Sequence, residues 1–138
     1  MIFGDKFKLK SILLGVATGL ILSNFVAFVI GFVVSNGFGS AVLVKFANSV
    51  GFFIFGTVLG IVIAGLAGWA TAMSARVNKL GNALAMSVIL LLVSAWFYSL
   101  LSVPEPTWYL YLNRLLLIPA ALVGAYLQDV LSAQPAQQ

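Results

Sequence analysis

Residues 11–35 read SILLGVATGLILSNFVAFVIGFVVS, and within them Ser11, Gly15, Gly19, Ser23, Ala27, Gly31 and Ser35 place a small side chain at every fourth position. In a helix that spacing strips bulk from one ridge, so a second apolar helix can come close enough for its packing to compete with contacts to lipid. Four residues turn a helix by about 400°, so the whole stripe drifts by roughly 240° around a straight axis. One straight partner cannot follow it. Its lower and upper parts are expected to meet different helices, or neighbours that cross at a right-handed angle of about −40°.

The stretch carries no charge. From Ser11 to Val34, at about 1.5 Å per residue, it would extend roughly 36 Å, enough to cross a hydrocarbon core of about 30 Å with some tilt. Lys6, Lys8 and Lys10 precede it in the manner of a signal peptide. The apolar run is much longer than a signal h-region of about 7 to 15 residues, however, and predicts a retained first span.

Working outward, the chain repeats this character. Hydrophobic residues make up 62% and charged residues 7%, against about 25% charge in a soluble domain. The second apolar run, 50–73, carries its own stripe at Gly56, Gly60, Ala64, Gly68 and Ala72, and is expected to pair with the first as a close hairpin. A third run, 84–103, ends at Pro104-Glu105-Pro106, which cannot continue a helix. Thr107 is placed to cap a fourth, 108–127. Asn36-Gly37, Gly39 and Asn48 mark the longest loop, Ser35 to Ser49. Arg76 and Lys79 suit a helix end, Gly81 a terminator and Asn82 the next N-cap. Gln128 to Gln138 reads as a short, polar and mobile tail. The predicted fold is all-α, an integral membrane four-helix bundle forming a single domain over residues 1–138, with small-xxx-small packing stripes in spans one and two.

The cations set an expected orientation. With the N-terminus inside, Lys6, Lys8, Lys10, Arg76 and Lys79 are cytoplasmic and Lys45 alone is outside, which predicts both termini in the cytoplasm. Tyr98, Trp108, Tyr109 and Tyr111 flank the opposite interface, where an aromatic belt is expected. The net charge of +4 reports this orientation rather than a nucleic-acid partner. Membrane lipids, and other membrane subunits or further copies of the chain, are the expected partners.

Leu13 to Ser23, LLGVATGLILS, and Leu117 to Leu127, LIPAALVGAYL, resemble the first and last spans of small uncharacterised four-span bacterial membrane proteins. The resemblance implies a bacterial plasma (inner) membrane, multi-pass, and carries no activity or binding residue with it. The chain departs from the four-span small multidrug exporters at the point that matters to them. Their first span holds an embedded glutamate, and this one holds none.

Chemistry is sparse. There is no Cys and no His, and the acids Asp5, Glu105 and Asp129 fall outside the expected spans, so no nucleophile pair, general base or metal cluster of the ordinary kinds can be assembled. No cofactor and no enzymatic activity are expected. The glycines sit at helix-packing spacing, without the Lys-Ser or Lys-Thr that follows a phosphate-binding loop. Polar residues within the spans are the remaining candidates. Asn24 lies near the expected midplane, where it would either hydrogen-bond to another helix or contact a solute. Arg114 sits about 9 Å below the outer interface and leans toward Glu105, as a structural pair or as an anion or lipid-headgroup site, with Asn113 beside it. Pro119 leaves the Leu115 carbonyl without its helical donor. A structural or accessory membrane subunit acting through helix packing accounts for these features. A small oligomeric transporter or channel for a small or anionic solute is the alternative.

Overall fold

The computed structural model describes residues 7–37, 45, 49–101 and 106–133. Among them are four long helices: α1 (Leu9–Gly37), α2 (Val50–Ser74), α3 (Lys79–Leu101) and α4 (Thr107–Ala133). Each is long and apolar enough to cross a membrane. The fold is all-α, a bundle of four membrane-capable helices.

Local chemistry explains the boundaries. Ser49 caps α2, its hydroxyl accepting from the Phe52 N–H at 3.2 Å, and the Ala75 N–H closes the other end on the Thr71 carbonyl at 3.0 Å. The chain then reverses through Asn78, at φ 50°, a left-handed conformation that asparagine tolerates better than most residues. α3 begins at Lys79 rather than at the expected Leu84, so Gly81 and Asn82 lie inside its first turn instead of separating two helices. The reason is steric: a Cβ at Gly81 would sit 2.6 Å from the Asn78 side-chain oxygen. Glycine therefore makes room for the turn residue and does not terminate a helix.

Two other ends run further than the sequence suggested. α1 continues through Asn36, whose side chain donates to its own helix at the Phe32 carbonyl, 3.0 Å, and reaches 29 residues, about 43 Å. α4 passes Pro119 without ending and continues to Ala133, because its last turns are tied down. Lys79 Nζ lies 2.9 Å from Asp129 Oδ1 and donates to Ser132 Oγ at 2.9 Å.

These links bring the start of α3 to the end of α4. A further one, from the Lys8 N–H to Asn82 Oδ1 at 2.7 Å, brings in the start of α1, where Phe7 packs on the core. The two ends of the described chain therefore lie at one end of the bundle, here termed the closed end. α2 makes its most extensive contact with α4, which runs parallel to it, and α1 rests on α2 and α3.

The core sits at the closed end. Ala67, Met86 and Ala121 are fully buried with Ile12, Val16 and Leu90 around them, and Ala72, Ala83 and Ala125 form a second fully buried group. The buried Thr57, Thr71 and Ser87 hydroxyls are satisfied within their own helices, on the carbonyls of Phe53 (2.9 Å), Ala67 (2.9 Å) and Leu84 (2.8 Å). This is how a polar side chain is carried into an apolar interior without an unmet donor. The helices are held there by close packing of small residues.

Candidate functional site

Two sets of side chains qualify as functional candidates: the small-residue surfaces, and the polar groups where the bundle opens.

The tightest crossing joins α2 and α4. A Cβ on Gly68 would fall on the backbone of Ala121, and one on Gly124 would fall on the backbone of Gly65. Further along the same pair, a Cβ on Gly56 would meet the Tyr109 hydroxyl at 2.6 Å and one on Gly60 the Asn113 oxygen at 3.4 Å. The glycine stripe of the second span thus faces the fourth span. That corrects the expectation of a hairpin in which the two stripes meet each other. α1 does reach α2, but at its other face: Gly15 fits against Thr71, Met86 and the Ala67 carbonyl, and Gly19 lies 3.0 Å from Leu90 Cδ2 and 3.5 Å from Ala67 Cβ, measured from an added Cβ. Ala67 and Gly68 are adjacent in sequence and about 100° apart around the helix. One turn of α2 therefore serves α1 with one residue and α4 with the next, while Ala64 is buried just before them.

Above Gly19 the first stripe loses its partner. Ser23 and Ala27 are exposed, and a Cβ on Gly31 would meet nothing within 4 Å. Among the described residues the upper stripe does not meet a different helix, as drift around the axis had suggested. Asn24 is also exposed, its amide donating to the Leu20 carbonyl of its own helix at 2.8 Å. The expectation that it bridges to another helix of the chain is corrected, because its own backbone supplies the acceptor.

The polar candidates on α4 lie in the open half. Asn113 and Arg114 are half-buried, and neither has a hydrogen bond or ion pair among the described residues. Glu105, the expected partner of Arg114, lies outside the described residues. Asp129, the one acid within them, is at the far end of α4 and engaged with Lys79. The same interface is filled by rings: Phe53 stands 4.9 Å from Tyr109 and 6.0 Å from Trp108, centroid to centroid. Among the described residues no group of three or more metal-ligating side chains comes together.

Sequence reasoning missed Asn82 and the Lys79–Asp129 pair. Asn82 is fully buried, its amide donating to the carbonyls of Val77 (3.1 Å) and Asn78 (2.8 Å) while its oxygen receives Lys8. It clasps the turn and the start of α1 together. Opposite charges at the same end of spans three and four were the available signal for the ion pair. For Asn82 the capping rule drew attention to the right residue and assigned it the wrong bonds.

No protein-family model matches the chain, and neither the curated proteins nor the solved structures contain a match to it.

Proposed function

We propose that this is a multi-pass protein of a bacterial plasma membrane, with both ends of the bundle's chain cytoplasmic, acting without chemistry of its own as a structural or accessory subunit for other membrane helices. The cation bias supports the orientation: Lys8, Lys10, Arg76 and Lys79 gather at the closed end and Lys45 lies beyond the opposite end of α1 in sequence. The observation that carries the accessory role is the outer half of α1. There Ser23, Ala27 and Gly31 continue a close-packing stripe that no helix among the described residues occupies, beside the exposed Phe25, Phe28 and Phe32. Such a ridge is suited to a second helix, from a partner subunit or another copy, because small residues permit the backbone approach on which association in lipid depends.

The test is purification from native membranes in mild detergent. A stoichiometric membrane partner or a defined oligomer, lost on Gly31→Ile while the bundle stays folded, is the expected result. A solitary chain, or a partner retained by Gly31→Ile, overturns the accessory reading. Orientation is checked separately with single reporters in this cysteine-free chain. An impermeant reagent in intact cells should label Ser40→Cys and leave Ser132→Cys unlabelled; the reverse pattern inverts the topology.

A further inference from the structure

The registers of the helix pairs place the polar residues of the open half at one level. α1 runs beside α3 with Gly15 against Met86 and Gly19 against Leu90, so one further turn sets Ser23 beside Ser94. α3 runs opposite to α4 from the Lys79 contacts with Asp129 and Ser132, and counting equal steps from these sets Ser94 level with residues 114–117, the turn that begins at Arg114. α2 and α4 are matched at Gly60 and Asn113. Three independent registers thus converge where close packing gives way.

Arg114 also has a defined direction. It precedes Ala121 by seven residues and Ala125 by eleven, so it lies within about 20° of the face that carries both, and both are fully buried in the centre of the bundle. Ser94 stands in the same relation to the fully buried Ser87 on α3. Arg114 therefore lies on the face of α4 that is buried nearer the closed end and is itself half-buried, in the half where Ser23, Asn24 and Ala27 of α1 are exposed. Counted from Thr107 it is about 10 Å below the start of the helix, and Asp129 is about 22 Å further along.

A guanidinium at that depth is costly unless it is compensated. No described carboxylate is in reach, and Asn113 next to it presents a second unengaged polar group.

We propose that the open half of the bundle is an oxyanion-binding site: Arg114 takes two oxygens of a phosphate group in bidentate fashion, with the Ser94 hydroxyl and the Asn113 amide as neutral donors at the same level. The planar fork of arginine matches two oxygens of a phosphate. Ser94 now donates to the Leu91 carbonyl at 2.8 Å and reaches an anion by rotating its hydroxyl. The phosphate is either free or the headgroup of a lipid entering from the outer leaflet. The inference rests on the chain crossing a membrane and is independent of the accessory role.

The experiment is thermal unfolding of the purified full chain in a neutral detergent. The probes are inorganic phosphate at ionic strength matched with chloride, dioctanoyl phosphatidylglycerol, and uncharged dioctanoylglycerol. The wild type should be stabilised progressively by one or both phosphate-bearing probes and by neither control. A response to the lipid alone identifies a headgroup, and a response to both identifies a site open to the free anion. Arg114→Gln should abolish the shift, Arg114→Lys should bind roughly ten-fold more weakly because the fork is lost, and Ser94→Ala should weaken binding a few-fold. If Arg114→Gln does not fold, the Lys and Ser94→Ala variants decide, and a shift unchanged in both overturns the site. So does the absence of any shift in the wild type, or an equal shift in Arg114→Gln. Equal, non-additive and probe-independent effects of Arg114→Leu and Glu105→Gln would also overturn it, in favour of a structural pair. Resistance of the protein to alkaline carbonate extraction tests the membrane reading by itself, so the two failures are distinguishable.

Discussion

At the closed end Ala67, Met86, Ala121 and Ala125 have no exposed surface, whereas three turns away on α1 Phe25, Phe28 and Phe32 are 62%, 70% and 61% exposed. Both regions are apolar, so hydrophobicity does not distinguish them. Side-chain size does. The closed end is built from Gly15, Gly19, Ala64, Gly68, Ala83 and Gly124, which let backbones touch. The open end carries large rings instead: Phe53, Trp108 and Tyr109 fill the α2–α4 contact, while Trp96 and Phe97 on α3 are exposed. In lipid there is no general hydrophobic drive between helices, and association follows where shapes permit close approach. The fully buried alanines accordingly gather at the closed end, where side chains are small.

The comparison can be broken most sharply at Gly68. Gly68→Ile forces a branched side chain onto the Ala121 backbone, which cannot rotate away, and should cost about 3 kcal/mol or more. Aggregation on heating in detergent should begin at clearly lower temperature than for Val62→Ile, an apolar change on the same helix. Equal behaviour would mean that the closed end is not held by close approach. Gly15→Ile should come next, since the obstacles there include the Thr71 and Met86 side chains, which can give way in part.

Asn82→Leu sharpens the comparison from the polar side. It removes the acceptor of the Lys8 N–H and the donor to Val77 and Asn78, so a loss of about 1 to 3 kcal/mol is expected, read as earlier unfolding and faster amide exchange at Lys8. No change at Lys8 would show that the clasp does not hold α1. A smaller effect is expected of the Lys79–Asp129 pair. Lys79→Ala and Asp129→Asn should each cost about 0.2 to 1 kcal/mol, should not add, and should fade in high salt. Additive losses would mean that each residue acts through other contacts. Last comes Gly31→Ile, which should leave the melting of the isolated chain unchanged because an added side chain meets open space. A large loss would mean that the outer half of α1 is packed after all.

Much of the fold was legible because its signals are local. Three uncharged runs, a fourth with a single charge and the prolines around Glu105 mark helices without reference to neighbours; Thr107, expected to cap the fourth, is instead its first residue, and the Pro106 carbonyl accepts from the Tyr109 and Leu110 N–H groups. The partner of each helix was not legible in the same way. The stripe Gly56, Gly60, Gly68 says that one face of α2 is thin, and it says nothing about which helix fills the gap; two adjacent residues, Ala67 and Gly68, ended up on different partners. Gly81 misled for a related reason, since glycine that ends a helix and glycine that accommodates the Asn78 side chain look alike in a sequence. Arg114 was singled out from its depth, its lean toward Glu105 and its place on the face of Ala121 and Ala125, all read from spacing. Its level with Ser94 required the contact between α3 and α4.

The α2–α4 crossing has a consequence for synthesis. Gly68 cannot meet Ala121 until the intervening chain has been made, which at about 5 to 20 residues per second takes roughly 3 to 10 s. If the helices enter a bilayer as they are made, as the proposed function has it, the thin face of α2 is without α4 throughout that interval, and any thin-faced helix nearby can occupy it. The segment most exposed to such premature pairing is α1, which is made first and is tethered to α2 from the start. Its correct seat needs Asn82, Met86 and Leu90, all on α3. Insertion order therefore favours a transient α1–α2 pairing through the two glycine stripes, and the arrival of α4 is the step that displaces it.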